Sequence, residues 1–382
     1  MAMTRFVSLL AVITILCWIF YVEVHSDGRL SPRPHLGKRY AFATLLAENS
    51  KQGVAQDDVE ADDYFLATRV LNFQIRYSAK TRYHDSHVPF LVLATPGVAP
   101  SKLHTLANEG ATIIRVKDIS TGWMVGDLEN GRKSVLSKLY LWTLTDYDRI
   151  LFIDADTMLY TSLDGVFEDD ASQQYATDFS PSKIEKISAN IPNASLPSPP
   201  PNYILGGIKE GVSGDRQKPV NPDYLDAGFI MTAPSQQMYD YYLALLRTPG
   251  FIELTFPGQN LLNYAHHRDG PMPWKELDEH LNTNCASARD IESGLRTVRG
   301  HWWATNEYRH EGGSRCDVDP ELAAEWWRVR DQMEAYHEQK TVKTGKKSVG
   351  SRVYMQEEPR QMAEPQKGVG IRWPWISKAR YR

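Results

Sequence analysis

Three observations predict an α/β fold for this chain of 382 residues. Short apolar runs alternate with stretches of helical periodicity, the pattern of strands joined by crossover helices in a parallel sheet. The run Ile150-Leu151-Phe152-Ile153 is apolar at every position, as a strand covered by helices on both faces must be. Hydrophobic residues make up 42% of the chain, enough for a substantial core in one large domain or two smaller ones.

In chain order, residues 1–6 carry Arg5 as a short cytosolic tail and precede an apolar run, Val7 to Val22, of about 16 residues, near the lower limit for a membrane span. Segment 7–24 reads as a signal anchor or a signal peptide, since Val24-His25-Ser26 loosely fits a small-residue cleavage site. Positive charge before the run and acids (Glu23, Asp27) after it put the N-terminus in the cytosol and the body in a lumen. Both readings export the body, which makes Asn193-Ala194-Ser195 a usable glycosylation acceptor. Residues 25–38, polar and holding Pro32 and Pro34, read as a stem. The main folded domain is expected over 39–337.

Within that domain, Tyr40–Ala47 is the first expected strand and Asp62–Tyr77 has helical spacing (Tyr64, Leu66, Val70, Leu71, Phe73). Pro89–Ala94 (strand), Leu103–Glu109 (helix), Thr112–Val116 (strand) and Lys133–Thr145 (helix) continue the alternation, with right-handed crossovers expected. The apolar strand that follows ends in Asp154-Ala155-Asp156. Strand side chains repeat with period two, so the two acids share a face. Adjacent carboxylates repel unless a cation lies between them or one takes a proton, and the pair therefore suggests a hard divalent metal. A bare Asp-x-Asp is more often a cap or turn. Here it falls at the carboxyl end of a buried strand, where a doubly wound fold binds nucleotides.

The run from Lys138 to Phe167 closely resembles the central motif of glycosyltransferase family 8, the glycogenin-like retaining transferases, in a membrane-anchored form of the fungal type. The resemblance implies a nucleotide-sugar transferase fold of the A type, a single Rossmann-like mixed sheet with helices on both faces. It also implies that Asp154 and Asp156 hold Mn2+, or another divalent cation, against the diphosphate of a UDP-sugar. Lys138 would add a second cation, and Thr44 and Leu45 would wrap the base.

Farther along, Asp226-Ala227-Gly228 stands where the family has Asn-(Ser/Ala)-Gly against the donor sugar, with Asp226 keeping an acceptor for a sugar hydroxyl. Phe256–Asn263 resembles the family's Asp-Gln-x-(Leu/Ile)-Leu-Asn segment, which puts the Gln259 amide on the sugar face that a retaining nucleophile would use. Gly258 replaces the acid before it, so either the donor differs from glucose or an acid comes from elsewhere, Asp226 being one choice. His301 is the expected third metal ligand, with His310 as the fallback. Ala304 and Glu307 depart from the family's Gly and Lys, and Arg309 is a candidate for the missing cation.

Ser180–Pro222 is crowded with prolines and reads as a long surface loop or lid. After it come a strand through Phe229, a helix Gln236–Leu246 and a terminal helix Glu321–Tyr336, while 338–382, charged and poor in apolar residues, is expected to be largely disordered. Cys285 and Cys316 either pair in an oxidising lumen or remain free thiols. Net charge of -4 gives no basic excess for nucleic acid. The resulting expectation is a metal-dependent hexosyltransferase in the Golgi membrane, single-pass type II, or secreted if the leader is cleaved. It would use a UDP-sugar donor and a glycan or glycoprotein acceptor. The alternative is a luminal nucleotide-sugar or glycan-binding protein of the same fold with weakened catalysis.

Overall fold

The computed structural model describes residues 37–48, 57–58, 61–119, 134–188, 196–210, 223–248, 256–284, 286–303, 308–309, 315–316, 319–344 and 353–355. The chain divides into two units, Met1–Lys38 and Arg39–Arg382. The first lies almost wholly outside the described residues, as do the apolar run 7–22, the Asn193 sequon, Cys285 and the Trp373-Pro374-Trp375 segment. Among the described residues no helix is long and apolar enough to cross a membrane.

The second unit is built on strands β1 (Tyr40–Leu46), β2 (Phe90–Ala94), β3 (Thr112–Arg115), β4 (Arg149–Ile153), β5 (Thr157–Leu159), β6 (Tyr175–Ala176), β7 (Asn202–Tyr203), β8 (Leu205–Lys209), β9 (Leu225–Thr232), β10 (Lys275–Glu276), β11 (Thr283–Asn284) and β12 (Thr297–Arg299). The main helices are α1 (Asp63–Arg76), α2 (Pro100–Asn108), α3 (Pro181–Ser188), α4 (Gln236–Leu246), α5 (Pro257–Ala265), α6 (Ala288–Glu292) and α7 (Pro320–Thr344). A 3-10 helix, Ser134–Thr143, leads into β4.

The principal sheet runs β10-β8-β9-β4-β1-β2-β3, with Val353–Met355 added beside β3. β4, β1, β2 and β3 pair in parallel, whereas β9 lies antiparallel between β4 and β8. The sheet is thus mixed, as the fold expectation requires. Alternation along its strands splits the core in two. Ala41, Ala43, Leu91, Leu93, Ile150 and Phe152 face the 3-10 helix, α4 and α5. Phe42, Phe90, Val92, Leu151 and Ile153 face α1 and α2. Helices therefore cover both faces, and this explains why β4 is apolar throughout.

Local chemistry sets the boundaries. Asp62 caps α1 by accepting from the Phe65 amide at 3.1 Å, and its other oxygen takes the buried Lys102 ammonium at 2.7 Å. Ser235 caps α4 through the Met238 amide. A second small sheet, β11-β12-β5, pairs Arg299 with Thr157 and Val298 with Met158 in antiparallel register. That pairing, of Val298 with Met158 and its neighbours, brings two segments about 140 residues apart alongside the carboxyl end of β4.

Two segments differ from the sequence expectation. The proline-rich stretch 180–222 is not a loop throughout: it contributes α3 and, in β8, a strand inside the main sheet. Its Gly206-Gly207 pair allows this, because a Cβ on Gly206 would sit 2.8 Å from the Ala171 carbonyl oxygen. In the C-terminal tail, α7 continues to Thr344 and Val353–Met355 pairs in parallel with β3. Apolar residues are sparse there, yet an uncovered strand edge offers backbone hydrogen bonds that do not depend on side-chain type.

Candidate active site

β4 ends at Ile153, and the turn that follows carries Asp154 and Asp156 before the chain enters β5. The backbone pins the turn from three sides. The Asp154 amide donates to Gly228 O at 2.8 Å and the Thr157 amide to Asp154 O at 3.1 Å, while Asp156 O accepts from the Gly300 amide at 3.1 Å and the Trp302 indole at 2.8 Å. Residues from β4, β9 and β12 thus meet at one point.

Asp154 is flanked by two cations. Lys138 Nζ lies 3.2 Å from Oδ1 and also donates to Ala227 O at 2.8 Å. Arg299 Nη1 lies 3.2 Å from Oδ2 and donates to Asp226 Oδ1 at 2.8 Å. Burial drives the Asp154 carboxyl upward, Lys138 and Arg299 pull it back, and Asp156 and Asp226 push it up again, with a raised value as the net result. For Arg299 burial favours the neutral form, but Asp226, Asp154 and Asp156 outweigh it and keep the guanidinium charged. Gly228 makes the packing possible: a Cβ there would stand 2.6 Å from Asp154 Oδ2 and would overlap the Arg299 guanidinium.

Asp226 is 2% exposed. Its Oδ1 accepts from the Gly228 amide at 2.7 Å as well as from Arg299, and its Oδ2 accepts from Asn284 Nδ2 at 2.9 Å. Burial alone would raise this carboxyl, but Arg299, the Gly228 amide and Asn284 hold it below the usual carboxylate range. Through these contacts Asp226 positions Arg299 and the Ala227-Gly228 corner.

Asp156 and His301 form the other half of the site. His301 Nε2 is 3.4 Å from Asp156 Oδ2 and 3.0 Å from the Tyr64 hydroxyl, and the ring stacks on Trp303 with centroids 5.2 Å apart. Asp156 Oδ1 is buried with no hydrogen-bond partner among the described residues. Such an oxygen is costly unless something occupies the space beside it. Among the described residues no group of three or more His, Cys, Asp or Glu side chains is gathered closely enough to hold a metal ion. The donor chemistry nevertheless fits a divalent cation. Asp156 Oδ1 and His301 Nε2 are oxygen and nitrogen donors on adjacent side chains, and a carboxylate has about four lone-pair positions, so Asp154 keeps capacity beside its two cations.

Gln259 sits in the first turn of α5. Its Oε1 accepts from the Ala227 amide at 3.0 Å and its Nε2 faces Glu210 Oε1 at 3.3 Å. Glu210, just past β8, has its carboxyl raised by burial and by the charge of Asp226. It is a carboxylate beside Gln259, as is Asp226 nearby, to which the sequence reading offers the role of the acid absent at Gly258.

Lys138, Asp154, Asp156, Asp226, Ala227, Gly228, Gln259 and His301 therefore converge, with Ala155 buried in the turn. Thr44 is fully buried in β1 with its Oγ1 lacking a partner among the described residues, and Leu45 is half-buried against the same core as Phe152. The sequence reading missed Arg299, Glu210, Asn284 and Tyr64. Arg299 adds a cation beside Asp154, while the side chain of Arg309, the candidate from sequence, lies outside the described residues together with Ala304, Glu307 and His310.

No family model matches the chain. An uncharacterized protein of Schizosaccharomyces pombe is 25% identical over 342 residues, covering 84% of this chain and 86% of the relative. Galactinol synthase 5 of Arabidopsis thaliana is 22% identical over 316 residues, 72% of this chain and 83% of the relative. A candidate glucuronosyltransferase of the same plant is 33% identical over 108 residues, which are 28% of this chain and 21% of that protein. Among solved structures, the glycosyltransferase GlyE of Streptococcus pneumoniae superposes with a TM-score of 0.44 at 12% identity, covering 83% of this chain and 67% of that one. The galactosyltransferase LgtC, solved with donor and acceptor sugar analogs, gives 0.42 at 12% identity, with 76% and 95% covered. The chain thus has glycosyltransferase-like homologues.

Proposed function

We propose that this chain is a metal-dependent retaining glycosyltransferase that moves a sugar from a UDP-sugar to a glycan or glycoprotein acceptor. One observation carries the reading: Asp154 and Asp156 share the turn at the carboxyl end of a buried strand, His301 stands 3.4 Å from Asp156 Oδ2, and the buried Asp156 Oδ1 has no partner among the described residues. Asp154, Asp156 and His301 are the residues that would hold Mn2+ or another divalent cation. When bound, such a cation supplies Lewis-acid neutralisation of a departing diphosphate.

The chain's own residues account for the rest. Lys138 and Arg299 are fixed positive charges on either side of Asp154, suited to anionic phosphate oxygens. Their carboxylate partners orient them before any ligand arrives, so little reorganisation accompanies charge development. Gln259 is held by Ala227 and Glu210 in one rotamer, which fits an amide dipole set to stabilise an electron-poor sugar carbon. The buried aromatic group Trp302, with His301 and Trp303 beside it, excludes water from one flank. Glu210 beside Gln259 favours turnover over a binding-only protein, because it places a carboxylate beside that amide. The apolar run 7–22 and the Asn193 sequon support a luminal body on a type II anchor.

The test is hydrolysis of a panel of UDP-sugars with and without Mn2+, followed by proton NMR of the released sugar. Metal-dependent release with the anomeric configuration retained is expected. Inverted product, or a rate unaffected by chelation, overturns the reading.

A further inference from the structure

A cavity of about 380 Å³ lies between the end of β8, Asp223 and the segment from Arg268 to Glu276. Trp274 forms its apolar wall. The indole N–H donates to Asp223 O at 3.1 Å and the Trp274 amide donates to His266 O at 3.1 Å, so the ring is fixed before anything binds. Two ion pairs line the cavity: Lys209 Nζ with Glu276 Oε1 at 2.7 Å, and Arg268 Nη1 with Asp223 Oδ1 at 2.8 Å. Lys275, also in the lining, lies 4.6 Å from the centroid of the Tyr175 ring.

A saccharide ring matches this combination. Its C–H faces carry slight positive charge and are drawn to the negative face of an indole. Its neighbouring hydroxyls present donors and acceptors together, which suits carboxylates and a guanidinium already held in pairs. A purely apolar ligand would strand those charges. The lining carries three cations, Lys209, Arg268 and Lys275, against two acids, Asp223 and Glu276, and so favours a ring that bears a carboxylate.

Position ties the cavity to the carboxylate cluster. The Glu210 amide donates to Tyr224 O at 2.7 Å, so the strand end beside the cavity also carries the acid that faces Gln259. Asp223 precedes Asp226 by three residues, a span of roughly 10 Å in extended chain. We propose that this cavity is a subsite for a saccharide ring of the acceptor, lying beyond the ring that receives the transferred sugar. Its assignment to an acceptor rests on the transferase reading, whereas the binding of a saccharide ring does not.

Saturation-transfer NMR on the full chain, with methyl β-glucuronide and methyl β-glucoside as probes, tests the proposal, and UDP binding is measured in parallel. Both probes are expected to receive saturation, the glucuronide more strongly. Trp274→Ala should weaken them roughly tenfold, the factor that one ring-stacking contact supplies. Arg268→Ala, at an exposed position that folding does not require, should weaken the glucuronide roughly threefold and leave the glucoside unchanged. No signal from the parent protein, or equal signals from the parent and a folded Trp274→Ala variant, overturns the subsite. Saccharide binding without any UDP binding would keep the subsite and remove the transferase reading, so the two failures are distinct.

Discussion

One guanidinium nitrogen, Arg299 Nη1, stands 3.2 Å from Asp154 Oδ2 and 2.8 Å from Asp226 Oδ1, tying the end of β4 to the start of β9. Without it, Asp154, Asp156 and Asp226 would face, among the described residues, the Lys138 ammonium as their fixed cation. Removing one partner of a buried ion pair costs about 3–5 kcal/mol because the remaining charge is left uncompensated. Arg299→Met should therefore lower the melting temperature markedly in metal-free buffer. Added Mn2+ should recover more stability in this variant than in the parent. Thermal denaturation with and without Mn2+ checks both effects, and an equal response to the metal in the two proteins would contradict the account.

Gln259 touches the corner at Ala227 and the acid at Glu210, and neither contact is to an element that gathers phosphate. Gln259→Ala should lower kcat by about 10²-fold, as loss of one preorganised dipole does, with little change in UDP affinity. Steady-state rates set beside calorimetric UDP binding separate these quantities. Loss of UDP affinity with kcat intact would move Gln259 to the nucleotide side.

A different residue sets an acid limit on stability. His266 is fully buried, its Nδ1–H donates to Met272 O at 2.7 Å, and its Nε2 accepts from the Tyr242 hydroxyl at 2.6 Å. Burial lowers its pKa from 6.5 to about 4. The unfolded chain therefore binds the extra proton first. This contribution is fully present above pH 6.5 and is lost as pH falls from there to about 4, amounting to about 3 kcal/mol. His266→Asn should flatten the dependence of melting temperature on pH across that window, which a calorimetric series at several pH values measures.

Periodicity made much of the fold readable. β1 to β4 and α4 lie where apolar runs and 3.6-residue spacing place them, because each buries a face against the sheet core. β8 was hidden: Gly206 and Gly207 and the flanking prolines look like a loop in sequence, and only close packing on Ala171 and β9 makes them a strand. The Asp154-Ala155-Asp156 motif was legible because it directly follows an apolar strand, although the acids lie in the turn after β4 and not on the strand whose period-two geometry was expected to pair them. Arg299, 145 residues away, and Asn284, 58 residues from Asp226, acquire their roles only when β5, β11 and β12 assemble. Single polar residues on short strands carry no local pattern that announces such contacts.

Topology offers a separate check. If the body of the chain is luminal, Asn193 should carry a glycan when the full chain is expressed in a eukaryotic secretory pathway. Endoglycosidase treatment should then reduce the apparent mass, and Asn193→Gln should abolish that shift. An unchanged mass, with the body accessible to protease from the cytosolic side, would contradict the luminal placement.

The central claim is that Asp154, Asp156 and His301 gather a divalent cation for a nucleoside diphosphate. Calorimetric titration of UDP into the parent protein and into Asp156→Asn, each with and without Mn2+, tests it most directly. Asp156→Asn keeps the size of a side chain whose Oδ1 has no partner among the described residues, so the fold should persist, as circular dichroism would verify. The account predicts Mn2+-dependent UDP binding by the parent and its loss in the folded variant. Equal UDP binding by both proteins, or binding by the parent that is indifferent to Mn2+, would contradict it.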